Sequence, residues 1–294
     1  MRFAHGSRLA AALGALACAP IAAAGPGCAP VGSPALLPDE LQETSGIAVS
    51  GRDPGIFWTH NDDGAVIFAI DRAGRVLGRH RLSVEPNDLE DVESAPCSDG
   101  SPCLYFADTG DNAERREAVR ILRVREPAGR DGGDALPADV FPFRYPEGPR
   151  DTEAVFVLPG ERVYLVTKGR SHAITLYRYP GTLRPDTVVV EEIQRLTGGA
   201  EPLLDQVTGA SASPSGSTVA IRTYQALRFY GVSGDSLVAV RGGVVNLRTL
   251  REIQGEGLSL SRDGRVLLTS EGGPLGGPAS LTELRCLAEV GTAR

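Results

Sequence analysis

The feature that most limits what this chain can become is a pattern met five times. SGIAV (45–49), EDVES (90–94), EAVFV (153–157), TGASA (208–212) and EGLSL (256–260) are short segments with an apolar third position. Each runs into a turn, GRDPG, CSDGSP, LPGER, SPSGS or SRDGR, whose Gly and Asp suit the positive φ of tight hairpins. A more hydrophobic segment follows each turn: GIFWTHN, CLYFADT, RVYLVTK, TVAIRTY and RVLLTSE. A third follows in turn (VIFAIDR, VRILRV, ITLYRYP, ALRFYGV, SLTELRC), and a fourth precedes the next unit (GRHRLSV, VFPFRYP, VVVEEIQRL, VVNLRTL).

Four strands per repeat make a propeller blade. The units begin at 45, 90, 153, 208 and 256, so they are 45, 63, 55 and 48 residues apart. The longest interval holds REPAGRDGGDALP, a polar loop rather than another blade. The expected fold is therefore all-β: a β-propeller of five blades, each of four antiparallel strands, with six blades as the alternative count. No sustained 3.6-residue periodicity predicts a helix after the N-terminal segment. The last unit lacks a clear fourth strand. GSPALLP (32–38) stands ahead of the first unit as the other fourth strands stand ahead of theirs. This N-terminal strand is predicted to complete the last blade, closing the ring and removing an exposed edge.

Residues 1–24 are set apart. Arg2 and Arg8 form a basic start, Leu9 to Ala24 an apolar stretch, and Ala22 and Ala24 an A-x-A cleavage pattern. They read as a secretory signal cut after Ala24, leaving 25–294 as a single propeller domain. A lipoprotein signal at Cys18 is the lesser alternative. The apolar run is too short and too rich in small residues for a membrane span. Cleavage removes two arginines and no acid, taking the net charge from −7 to −9, which argues against nucleic acid or anionic lipid as a partner. The mature protein is expected to be a secreted or periplasmic monomer. It keeps Cys28, Cys97, Cys103 and Cys286, an even number that allows three pairings. Cys97 and Cys103 flank the turn SDGSP, which favours a local bridge and leaves Cys28 with Cys286. Ring closure brings that second pair together on separate grounds.

In a propeller the first strand of each blade lines the central axis, and its leading end opens at one mouth. Stacking the units gives two columns there. The first is Ser45, Glu90, Glu153, Thr208 and Glu256; the second is His60/Asn61, Asp108, Lys168, Arg222/Thr223 and Glu271. Lys168 is the only lysine in the chain. Three glutamates at one end of an axis repel one another unless a cation neutralises them. Glu90, Glu153, Glu256, Asp108, Asp111 and Asn112 form a candidate Ca2+ set, since that ion takes six to eight oxygen ligands. His60, Asn61, Lys168, Arg222 and Glu271 are candidate ligand-binding residues. The loop DTGDN after Asp108's strand lacks the spacing of an EF-hand. GASAS and GLSLS are not nucleophile elbows, and His60, His80 and His172 have no zinc spacing. For any one of these residues a solvated or turn-capping role is the simpler reading; the cluster is what points to a site.

TSGIAVSGRDPGIFWTHNDDGAVIFAID, LEDVESAPC…CLYFADTGDN, RYPEGPRDTEAVFV, YLVTK, VTGASASPSG and EGLSLSRDG…LLTSEG together resemble an uncharacterised family of secreted bacterial β-propellers, often labelled WD40-like. The resemblance spans nearly all of the mature chain and implies the fold without an activity. More distantly, the mixed mouth is similar to those of alkaline β-propeller phytases and calcium-dependent propeller lactonases, which implies carboxylate-held Ca2+. TSGIA stands here in place of the phytase D-D-P-A. The first functional expectation is an extracytoplasmic propeller that binds a small polar or anionic ligand, or a protein partner, at its mouth. The alternatives are a calcium-dependent hydrolase of phosphoesters or lactones, with Lys168 and Arg222 on the anionic group, and a structural scaffold.

Overall fold

The computed structural model describes Met1 and residues 27–128, 133–273 and 277–286. The expected signal segment, apart from Met1, and with it Cys18, lies outside the described residues. Five sheets stand around one axis, each built around three or four consecutive antiparallel strands. Blade 1 comprises Thr44–Val49, Phe57–Asn61, Val66–Ile70 and Val76–Arg81. Blade 2 comprises Leu89–Pro96, Pro102–Asp108, Val119–Arg125 and Ala138–Arg144. Blade 3 comprises Thr152–Leu158, Arg162–Thr167, Thr175–Arg178 and Glu191–Arg195. Blade 4 comprises Val207–Ala212, Thr218–Thr223, Ala226–Ser233 and Ser236–Asn246. Blade 5 comprises Gln254–Leu260, Arg265–Glu271 and Ser280–Cys286, completed by the N-terminal chain. The only helices among the described residues are three short 3-10 turns. None of them is long and apolar enough to cross a membrane.

There is no single core. Each sheet is apolar on both faces and must cover them against its neighbours, so five hydrophobic clusters fill the five gaps between blades. Trp58, Val92, Leu104 and Phe106 fill the gap between blades 1 and 2, and Leu37, Ile47, Phe57 and Leu281 fill the gap between blades 5 and 1.

The seam runs inside blade 5. Its third strand is covered by two short N-terminal strands, Cys28–Pro30 against Leu284–Cys286 and Ala35–Leu36 against Ser280–Leu281. The closing edge thus begins at Cys28, four residues earlier than GSPALLP, and bends at Gly32 (φ 76°) before resuming. Cys28 and Cys286 are direct cross-strand partners and form a disulfide, with Cα atoms 4.0 Å apart. Cys97 and Cys103 form the second disulfide, within the blade 2 hairpin. Two such bridges fit an extracytoplasmic protein. The segment VVVEEIQRL divides between two sheets: Val188–Val189 pairs in parallel with the outer strand of blade 2, and Glu191–Arg195 becomes the outer strand of blade 3.

Candidate metal centre at the mouth

All five inner strands share one irregularity. Their pairing with the second strand skips a step at the leading end: between Thr44 and Ile47, Leu89 and Asp91, Thr152 and Ala154, Val207 and Gly209, and Gly255 and Leu258. Ser45, Glu90, Glu153, Thr208 and Glu256 sit in these bulges. A bulge leaves its residue outside the ladder and re-aims its side chain. The first column of the sequence is therefore a ring of bulge residues.

Glu90, Glu153 and Glu256 are 8%, 2% and 5% exposed. Glu90 and Glu153 are joined by Asp151, and one carboxylate oxygen of each lies within 4.8 Å of the others. Lys168 Nζ donates to Glu153 Oε1 and stands 3.9 Å from Asp151 Oδ2. Arg170, with a side chain 36% exposed, reaches to 3.7 Å of the same Asp151 oxygen. Neither basic group hydrogen-bonds it, so Asp151 Oδ2 is buried without a hydrogen-bond partner. Around this centre stand Asp62, Asp88, Glu256 and Glu271.

Burial sets the protonation of this group first, and mutual repulsion adds to it. Asp62 is pushed up to about 8 by burial, with Glu271, Asp88 and Glu153 adding. Glu271 is pushed up to about 7 by burial, Glu43 and Glu153. Burial and neighbouring carboxylates raise Glu90 and Glu256 well above the usual range. Burial also raises Glu153, although Lys168 opposes it. For Lys168 burial disfavours the charged form, yet Glu153 and Asp151 outweigh it and hold the ammonium above its ordinary pKa. One lysine and the half-exposed Arg170 thus stand among seven carboxylates, and only Glu153 has an ammonium within hydrogen-bond reach.

The loop after Asp108 is the wall of this centre. Thr109 Oγ1 donates to the Thr152 carbonyl at 2.7 Å, and the Asp111 amide donates to Asp151 Oδ1 at 3.0 Å. A Cβ on Gly110 would stand 2.2 Å from Glu90 Oε1 and 2.3 Å from Asp88 Oδ2, so any larger residue there would displace the two carboxylates. Asp108 itself is turned away. It accepts from the Asn87 and Asp88 amides at 3.1 Å each, and pairs with Arg116 at 3.2 Å and with Arg120. Asp111 Oδ2 is taken by the Arg116 amide at 2.7 Å, and Asn112 is exposed on the rim. The structure brings Glu90 and Glu153 together and places Glu256 nearby; Asp108 and Asp111 are already engaged as supports.

The other candidates divide similarly. Arg222 is fully buried between blades 4 and 5, donating to the Gly257 and Thr269 carbonyls at 2.8 Å each and pairing with Glu252. It faces no mouth ligand. His60 is fully buried, edge-on to Phe106, with Nδ1 toward the Asn61 carbonyl; burial lowers it to about 4, so it is neutral. Asn61 Nδ2 donates to the Glu40 carbonyl at 2.9 Å. Glu271 does face the mouth, and Gln254 donates to Glu256 Oε1 at 2.9 Å beside it. Asp151, Asp62, Asp88 and Arg170 escaped the sequence columns. A signal for two of them was present: D-x-E recurs as Asp88-Leu89-Glu90 and Asp151-Thr152-Glu153.

No family model and no curated protein matches the sequence. Solved structures do. The PQQ-bound aldose sugar dehydrogenase from Streptomyces coelicolor superposes with a TM-score of 0.56 at 12% identity, covering 90% of this chain and 99% of that one. The soluble aldose sugar dehydrogenase from Escherichia coli, in its apo-form, gives 0.50 at 12% identity, covering 86% and 99%. At such identity the likeness is one of fold.

Proposed function

We propose that this protein is an extracytoplasmic propeller whose mouth holds a hard divalent cation, Ca2+, on Glu90, Asp151 and Glu153, and that a small polar or anionic ligand is taken through that ion. The observation that carries the reading is Asp151 Oδ2: a buried carboxylate oxygen without a hydrogen bond, in a group of three whose oxygens lie within 4.8 Å. A buried charge without full pairing is costly, and a cation is what removes the cost. Three carboxylates supply part of the six to eight oxygens that Ca2+ takes, leaving positions for water and ligand. An anionic ligand meets seven carboxylates unless the cation is there first. The two disulfides and the signal-like residues 1–24 support export with cleavage after Ala24.

Hydrolysis of a phosphoester or lactone is the second reading. Bound Ca2+ would supply Lewis acidity and an activated water. Arg170 favours this reading, because it is half-exposed on the rim beside Asp151, whereas Lys168 and Arg222 are held by Glu153 and Glu252. Calorimetric titration of the chain from residue 25 with Ca2+ tests the first reading. Saturable one-to-one binding, lost in Asp151→Asn, is expected; a titration without heat in the wild type would overturn it. Adding phosphate esters and lactones to the loaded protein decides the second by turnover.

A further inference from the structure

The inner strands crowd an axis too narrow for ordinary side chains. Directly after each mouth residue of the first column stand Gly46, Asp91, Ala154, Gly209 and Gly257. A Cβ on Gly46 would come 2.5 Å from the Val92 nitrogen, one on Gly209 2.9 Å from the Glu256 carbonyl, and one on Gly257 2.3 Å from the Ser45 carbonyl. Four of the five positions therefore carry at most a methyl group. Asp91 is the exception, and its side chain enters the space the others leave.

Asp91 is fully buried and its carboxylate touches backbone amides of three blades. Oδ1 accepts from its own neighbour Val92 at 2.9 Å. Oδ2 accepts from Val155 of blade 3 at 3.1 Å and from Ala210 of blade 4 at 3.2 Å. Inner-strand amides that face the axis have no ladder partner and must be satisfied there. A carboxylate in the middle does this for three at once. Its placement also ties two particular strands. Asp91 directly follows Glu90, and Val155 lies two residues after Glu153.

We propose that Asp91 is the positioning residue of the mouth's cation site, setting the separation of Glu90 from Asp151 and Glu153 by clamping the inner strand of blade 2 to that of blade 3. The assignment rests on the cation reading of the mouth. Glu93 supplies an internal control. It is a second buried axial carboxylate of the same strand, but it binds Ser211 Oγ and the Ala212 amide of blade 4, at 3.0 Å each, and nothing in the inner strand of blade 3.

The experiment compares Asp91→Asn with Glu93→Gln in the mature chain, using Ca2+ calorimetry, Tb3+ luminescence lifetime and thermal melting. In Asp91→Asn one amide N–H2 faces backbone donors, so the clamp opens. Ca2+ affinity should fall about ten-fold or more, the range for residues that orient metal ligands. The Tb3+ lifetime should shorten as water replaces a misplaced carboxylate. Glu93→Gln should leave both unchanged whatever its melting temperature. Unaltered binding in Asp91→Asn, or equal losses in both variants, would overturn the assignment. If Asp91→Asn does not fold, hydrogen exchange of the wild type decides: Ca2+ should slow the Val155 and Ala210 amides and not the Ala212 amide, and uniform or absent slowing overturns it. A wild type that binds neither Ca2+ nor Tb3+ overturns the reading of the mouth and this assignment with it. Normal wild-type binding with an unaffected Asp91→Asn overturns the assignment alone.

Discussion

At the scale of the residue, the mouth holds acids that bind protons more tightly folded than unfolded. The sign of the consequence is fixed. An acid whose folded pKa is raised stabilises the native state at low pH, and that contribution is lost as pH rises through the folded value. Asp62 at about 8 and Glu271 at about 7 place the loss between the ordinary carboxylate range and about pH 8. In chelator, the melting temperature is therefore expected to fall from pH 5 toward pH 8, and Ca2+ at pH 8 should restore it by binding the native state. Melts that rise with pH in chelator would contradict this. Arg170 gives a second expectation. Its guanidinium competes with a cation for Asp151 from a half-exposed position, so Arg170→Ala should tighten Ca2+ binding about two- to five-fold, the scale of a screened ion pair; titration of the variant reads it directly. Glu90, Glu153, Glu256 and Lys168 were legible in the sequence as columns because the repeat fixes strand ends. What the columns did not show is direction. The pairing registers set Asp108 level with Thr167 and Thr223, so Lys168 stands one residue further along and Arg222 one residue short; Asp108 is held within blade 2 by Arg116 and Arg120, and Arg222 enters the gap between blades 4 and 5, where Glu252 takes it. Asp151 was missed because it precedes its strand, in a segment the repeat pattern leaves unaligned.

At the scale of the element, blades are held by hydrophobic gaps with a few buried polar ties. Arg222 is the clearest tie, reaching from blade 4 to two carbonyls of blade 5. Arg222→Ala leaves Glu252, itself 6% exposed at the side chain, as an uncompensated buried charge. Breaking a buried pair this way costs about 3–5 kcal/mol, and denaturant melts should show it while Ca2+ affinity stays near wild type. A loss of binding without loss of stability would return Arg222 to the site. Within blade 2 the Cys97–Cys103 bridge spans 6 residues of sequence, and its removal should cost about 2 kcal/mol. The strands themselves were legible because alternation and Gly/Asp turns are local signals. The split of VVVEEIQRL was not. Val188 and Val189 satisfy strand propensity in either sheet, and the open outer edge of blade 2 captures them through long-range pairing.

At the scale of the whole molecule, the ring is closed within a blade. The Cys28–Cys286 bridge encloses a separation of 258 residues, for which the chain-entropy model gives about 5 kcal/mol. Cys28→Ser/Cys286→Ser should therefore lower stability more than Cys97→Ser/Cys103→Ser in denaturant melts; the reverse order would remove the bridge from any role in closure. The shared blade also imposes an order of events during synthesis. A chain that emerges N-terminus first carries Ala35–Leu36 and Cys28 long before Ser280–Cys286 exists, so those residues have no partner until the last strand arrives. Blades 1 to 4 can assemble in sequence, but the fifth is completed only by the two ends meeting. A ribosome-stalled or C-terminally clipped product would thus keep an unpaired strand edge and a free thiol, both visible to quality-control machinery as marks of an unfinished molecule.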